Sequence, residues 1–403
     1  MKKLIAGFFC LCLFTCFAVV IISTPSNILY FLNWGEYIDM SLVKQFEEEH
    51  HCQVILEPVT SSEAMYQKIS AGTTSYDVVV PGDYTVHQLY DEGKLRELDV
   101  DNPNYPYLGQ YKTMYADKLS DLINKYMVND EGRVFNSYFA PYFYGTYCMI
   151  YRTDKPEVVK AVEENGMKAL YDNSLYTSTP RKGMYDTARW IVASDLLANE
   201  MDPNSCDLKG NTTANDMDTA LKNKIIADVK AASFAEFGND QLKRNVANGS
   251  LDMCFTQLGD FFDTLYLVYD EGEGDSIAFN VNVPKTTAAF FDSMVIPTTC
   301  QNYELANAFI NFMMTPENAY QNACAIGYSP TLKSVKEAYE KDAEEGAYYY
   351  GEEGEENSLS MKDFLERYPV YLDPLGQVEN PYILQTKSNQ YLTTCESICN
   401  ALA

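Results

Sequence analysis

Trp34, Glu36 and Tyr37 stand almost side by side, directly after the unbroken apolar run Ile28–Leu32. An aromatic face beside a carboxylate suits an organic ammonium ion, which the ring quadrupole and the negative charge attract together. The same residues also fit a plainer role, with the Trp packing a loop and the Glu in solvent. A second carboxylate stands out at Asp292, inside the apolar run Ala288-Ala-Phe-Phe-Asp-Ser-Met-Val-Ile-Pro297. Buried and unpaired it would cost several kcal/mol, so it must face a cleft or find a partner. At a strand end it would merely cap a turn. Asp260 follows Gly259 at a predicted strand–helix junction, where an acidic N-cap is routine. Asp83 and Tyr84 come directly after Pro81-Gly82, which stops another apolar stretch.

Other chemistries lack their residues. The chain holds no nucleophile-elbow Gly-x-Ser-x-Gly, no Walker loop and no dinucleotide Gly-x-Gly-x-x-Gly. Its three histidines are His50 and His51 at a helix end and His87 on a helix, so no histidine-based dyad is visible and no enzyme is expected. No Cys/His cluster has zinc spacing, and neither a metal nor a cofactor is expected. Beyond Cys10, Cys12 and Cys16, eight scattered cysteines are left as buried thiols or unassigned pairs. Thirty Lys and Arg against 57 Asp and Glu give a net charge of −27. Such a surface repels nucleic acid and anionic lipid and attracts cationic solutes. Solubility alone also accounts for much of it.

The candidate residues need elements to hold them. At 403 residues the chain exceeds what one core usually organises, so two lobes are expected. Ile28–Leu32, Gln53–Val59 and Asp77–Val80 read as strands. Helices follow each: Met40–Glu49, one opened by the capping box Thr60-Ser-Ser-Glu63 and closed by Gly72, and one ending before Gly93. That alternation predicts a parallel sheet, whose ligands bind outside the carboxyl ends of the strands. Trp34 and Tyr84 then face one crevice. Phe139–Tyr151 reads as extended chain. Helices are expected over Met184–Asn199, with Trp190 off the apolar stripe and read as packing, and over Asn215–Ala231, Phe261–Val268 and Tyr303–Met313. Thr315-Pro-Glu-Asn318 caps a further helix, which Gly327 closes to deliver Tyr328. Met1-Lys-Lys3 before the apolar Leu4–Ile22 reads as a signal peptide or an uncleaved membrane anchor, with lipidation of Cys16 an alternative. Each places the rest outside the cytoplasm.

Ile28–Tyr37 and Tyr76-Asp-Val-Val-Val-Pro-Gly-Asp-Tyr84 closely resemble segments of the spermidine/putrescine-binding proteins of bacterial polyamine ABC importers. The likeness extends, with gaps, from about Ile28 to about Leu332. It implies an α/β, two-lobed periplasmic-binding-protein fold, each lobe a central sheet flanked by helices, with a crossing-strand hinge. After a leader over residues 1–26, one lobe would take 27–140 plus 262–305 and the other 141–261 plus 306–403. The family's Phe-Phe-Asp segment contributes a ligand carboxylate, here Asp292. A Gly-Asp site carboxylate of the putrescine-binding branch matches Asp260, and a crevice tyrosine matches Tyr328.

By that resemblance Trp34, Tyr37, Tyr84 and Tyr328 sandwich the ligand's methylene chain. Glu36, Asp260 and Asp292 pair with its amines; Asp83, which matches no family position, is a weaker fourth carboxylate. Two departures matter. Phe255 or Gln257 stands near a family pocket Trp, and Ser174–Gly183 holds Arg181 and Lys182 where the family has a carboxylate. Those cations would oppose the far ammonium of a long polyamine. The expected partners are a polyamine, permease subunits with their ATPase, and the membrane through the N-terminal segment, with no nucleic acid. Rival readings are a same-fold protein for another solute such as ferric iron, and a surface adhesin or sensor domain that has lost transport.

Overall fold

The computed structural model of the chain describes residues 27–59, 61–110, 115–270, 278–355 and 358–402. The segment expected to be a leader or anchor lies outside them. The first apolar run becomes strand Ile28–Trp34, parallel to Gln53–Val59 on one side and to Val78–Val79 on the other. Helices Met40–His50, Ser62–Ala71 and Asp83–Asp91 follow the three strands in turn. The second helix is capped by Ser61, whose hydroxyl accepts from the Ala64 N–H at 3.0 Å. Thr60 of the expected capping box lies outside the described residues.

Two strands carry the chain between halves. Ala140–Arg152 is buried along nearly its whole length, as a strand covered on both faces should be. Thr286–Met294 runs antiparallel to its first half. Beyond that pairing, Val79 and Val295 exchange backbone bonds of 3.0 and 2.9 Å, and the Ser293 N–H donates to the Pro81 carbonyl at 3.0 Å. The later part of Ala140–Arg152 pairs with Met253–Gln257, which continues to Lys182–Tyr185 and Glu236–Gly238. Both long strands lie in the larger sheet, and Thr286–Met294 with the residue after it is also bridged to the first, which is the crossing-strand hinge of a two-lobed α/β fold. Gly145 is needed where they cross, because a Cβ there would lie 2.9 Å from the Phe290 ring.

Three placements differ from the sequence reading. The helix expected over Met184–Asn199 is a strand, Lys182–Tyr185, followed by the helix Ala188–Ala198. Gly183 explains the strand, since a Cβ there would meet Leu242 and Leu251 at 2.8 Å and the backbone must lie flat against them. Residues from 306 onward were assigned to the second lobe, yet Phe309 packs its ring on Phe31 and Phe46 of the first, at 5.1 and 5.0 Å. The following helix Pro316–Ile326 also holds to the first lobe, its Asn322 Oδ1 accepting from the Asp39 N–H at 2.9 Å. Conversely, Phe279–Asn282, assigned to the first lobe, pairs with the far end of the crossing strand. The closing helix Asn389–Asn400 does return to the second lobe, where Arg189 donates to the Tyr391 hydroxyl at 3.1 Å.

Among the described residues no helix is long and apolar enough to cross a membrane. The eight described cysteines are free and six of them are buried, so they pack rather than cross-link. Phe309→Ala opens a cavity between the first sheet and its covering helix. It is expected to cost ~3–5 kcal/mol in urea unfolding. A loss below ~1 kcal/mol, the scale of a surface change, would contradict this packing.

Candidate functional site

The carboxyl end of the first strand turns sharply. Glu36 takes a left-handed conformation (φ 52°), uncommon for a residue with a side chain, and this turn swings Tyr37 back under the strand. The Tyr37 carbonyl is held by the Asn33 amide at 3.2 Å and the Tyr142 hydroxyl at 2.9 Å. Its own hydroxyl donates to Asp292 Oδ2 at 2.8 Å. Tyr328, delivered by the left-handed Gly327 (φ 75°), meets the Tyr37 ring edge-on at 5.1 Å. Trp34 is half-buried, and its indole N–H is buried with no acceptor among the described residues.

Asp292 lies where the crossing strand Thr286–Met294 passes the first lobe, its backbone bridged to Gly82. Next to it, Asp83 is 2 % exposed and accepts backbone N–H groups from Phe291 at 3.1 Å and Tyr84 at 2.6 Å. Burial pushes the Asp83 carboxyl up to about 8, against the pull of those two N–H groups, and the Asp292 charge adds to the rise. Burial likewise raises Asp292 to about 7, opposed by the Tyr37 hydroxyl. The Tyr37 hydroxyl is held well above its ordinary value by burial and by Asp292. Among the described residues neither carboxylate has a cationic partner.

The second lobe presents an aromatic layer. Tyr147 stacks on Trp190 and on Phe255, and Phe290 meets its edge at 5.6 Å. Gln257 bridges the halves, accepting from the Tyr328 hydroxyl at 3.3 Å and donating to Tyr147 at 3.5 Å. Tyr84 approaches from the first lobe. Its hydroxyl is raised by burial and by Glu63 and lowered by Arg189 of the second lobe, and its carbonyl accepts from Thr386 at 2.9 Å.

Asp260 is differently placed from the other two carboxylates. It accepts from Thr256 Oγ1 and from the Gln257 N–H, and Lys243 stands 3.3 Å away. Burial lowers the Lys243 ammonium, but Asp260, Asp263 and Asp240 outweigh that and hold it charged. Asp260 therefore caps its helix and already has a counter-ion.

The structure thus gathers Tyr37, Asp83, Tyr84, Phe255, Gln257, Asp292 and Tyr328, with Trp34 at the strand end beside them. Glu36 is exposed and takes no part in these bonds. Arg181 and Lys182 do not oppose a ligand as expected. Arg181 pairs with Asp252 at 3.3 Å on the surface, and Lys182 donates to the Leu170 carbonyl and Asn173, each at 2.7 Å. Their strand turns them away, and the cation near the far carboxylate is Lys243.

Tyr142, Tyr147, Trp190, Lys243 and Phe290 were not among the expected site residues. Trp190 follows the carboxyl end of Lys182–Tyr185 just as Tyr84 follows Val78–Val79. Reading that strand as helix hid the parallel.

The family model for bacterial extracellular solute-binding proteins matches residues 41–347. The spermidine/putrescine-binding periplasmic protein of Escherichia coli K12 is 26% identical over 315 residues, covering 77% of this chain and 80% of that protein. The putrescine-binding periplasmic protein SpuD of Pseudomonas aeruginosa is 25% identical over 303 residues, covering 73% and 76%. Among solved structures, the spermidine/putrescine ABC transporter substrate-binding protein PotD of Streptococcus pneumoniae superposes with a TM-score of 0.66 at 24% identity, over 94% of this chain and 98% of that one. With the matched model spanning most of its length and the same two-lobed fold, the chain belongs to the bacterial extracellular solute-binding proteins.

Proposed function

We propose that the cleft binds a polyamine, putrescine or a similar short diamine, and presents it to the permease and ATPase of an importer. The observation that carries this reading is the pair Asp83 and Asp292, two buried carboxylates with no cationic side chain against them among the described residues. Leaving such charge buried is unfavourable, and an ammonium ion from outside relieves it. Tyr37, Tyr328, Tyr84 and the Tyr147–Trp190–Phe255 layer supply flat apolar faces for a methylene chain and ring faces for its cations. The relatives named above are putrescine- and spermidine/putrescine-binding proteins, which supports the same ligand class.

Binding of putrescine is read by titration calorimetry. Asp292→Asn is expected to weaken it by roughly 2–5 kcal/mol, as expected for truncating one partner of a buried charge pair. Unchanged affinity in a folded variant would remove Asp292 from the site.

Protonation gives a second readout. In the ligand-free protein both carboxyls titrate at about 7 and about 8, against ordinary values near 4 in the unfolded chain. The folded state then holds more protons than the unfolded one across that window. Their contribution to stability is complete below about pH 4 and lost as pH rises through about 7 to 8. Asp292→Asn should flatten this decline, by a few kcal/mol at most, in urea unfolding of ligand-free protein compared between about pH 5 and pH 8. A slope equal to wild type refutes the buried-charge assignment.

Chain length is the third. A long polyamine must place its far ammonium near Asp260, whose charge Lys243 already meets, so extra methylenes gain little there. Putrescine should bind at least as tightly as spermidine. Spermidine tighter by about tenfold, about 1.4 kcal/mol, would overturn this.

A further inference from the structure

We propose that Gly259 is a positioning residue of the binding site: its missing side chain is the seat on which the Tyr328 ring lies. This rests on the polyamine reading above. Gly259 is the second residue of the helix Leu258–Asp270, directly after the strand that ends in Gln257. Its φ is ordinary, so no backbone strain calls for glycine there. The constraint is space. A Cβ at 259 would fall against the far edge of the Tyr328 ring, with Cζ, Cε1 and Cε2 as its three nearest atoms. Only a bare α-carbon lets the ring lie down on the start of this helix.

The position of that ring decides three contacts at once. Lying on Gly259, Tyr328 brings its hydroxyl to Gln257 Oε1 at 3.3 Å and meets Tyr37 edge-on at 5.1 Å. Tyr37 in turn holds Asp292. The ring thereby links the two carboxylates, through Gln257, whose N–H donates to Asp260, and through Tyr37, whose hydroxyl donates to Asp292. A methyl group at 259 meets the free end of a side chain rather than backbone. The ring can therefore swing out and relieve the clash, leaving the fold intact and the site without its wall. Gly259→Ala is thus expected to act on binding far more than on folding.

Gly259→Ala, Tyr328→Leu and the double variant, each as the full chain, separate this from a general structural effect. Leucine is too short to reach residue 259. Calorimetric titration with putrescine should show Gly259→Ala weaker than wild type by about tenfold, the loss of one hydrogen bond and one ring contact. The same substitution added to Tyr328→Leu should cost nothing further. Fluorine NMR of ligand-free, 3-fluorotyrosine-labelled protein gives an independent readout. The resonance missing in Tyr328→Leu identifies Tyr328, and Gly259→Ala should move it towards the position of an exposed tyrosine. Wild-type affinity in Gly259→Ala, an equal loss in the Tyr328→Leu background, or an unmoved resonance overturns the proposal. If wild type takes up no putrescine, the polyamine reading falls, and the resonance still decides whether residue 259 places the ring. If Gly259→Ala alone fails to fold, a folded double variant upholds the clash and an unfolded one overturns it.

Discussion

Asp83 and Asp292 come from distant parts of the chain, and backbone pairing brings them together. Gly82 bridges to Asp292, the Phe291 N–H reaches Asp83, and the Ser293 N–H reaches Pro81. Those bonds also attach the crossing strand to the first sheet, so the scaffold cannot form without burying the two charges. Backbone N–H groups and one tyrosine hydroxyl partly offset the cost. What remains keeps both carboxyls raised towards neutrality in the absence of a ligand. On the proposed reading the site is held in a state that an incoming cation improves, a common trade of stability for function.

The hinge and the site share their residues. The register of Thr286–Met294 shifts between Asp292 and Ser293, an irregularity of the kind that re-aims a side chain beside a functional site. Phe290, two residues earlier, lies over Gly145 and against Tyr147, so one strand carries both a carboxylate and an aromatic wall. Motion of one lobe against the other passes through Ala140–Arg152, Thr286–Met294 and the later stretch that takes the chain back to the closing helix. Movement at the hinge therefore displaces the site residues they carry, which is how a two-lobed protein can couple occupancy to shape.

Much of the first lobe was legible because its signals are local. An apolar run, a cap and a terminating glycine lie within a few residues of one another, and the carboxyl-end rule picks out Trp34, Tyr37 and Tyr84, along with Glu36, which the left-handed turn leaves exposed. Asp292 was legible from the conflict between its charge and its apolar neighbours. The second lobe hid its contribution behind one short strand. Lys182–Tyr185 has four residues, too few to show a period, and it runs into a helix whose stripe masks the boundary. With the strand unrecognised, Trp190 looked like surface packing and Arg181 and Lys182 like a barrier in the cleft. Lys243 gave no signal, because only the fold brings a lysine on one helix to Asp260 on the next. The lobe assignments failed for a related reason: periodicity predicts that Tyr303–Met313 is an amphipathic helix, but not which sheet its apolar face covers.

The two poles differ in what they ask of a ligand. Asp260 has a lysine, a threonine and a backbone N–H, and removing a ligand from it leaves nothing unpaired. Among the described residues Asp83 and Asp292 have no cation, so on the proposed reading occupancy there changes the free energy of the whole protein. The rings between the poles attract any apolar chain in rough proportion to the area they cover, which gives affinity with little discrimination. On the proposed reading, discrimination comes from the uncompensated pole, where a neutral analogue leaves the burial cost in place and an anion adds repulsion to it. The overall charge of −27 draws cations of every kind towards the surface, but salt screens it beyond about 8–10 Å. Inside the protein that screening is much weaker, so on the proposed reading the choice among cations falls to two side chains rather than to the acidic surface.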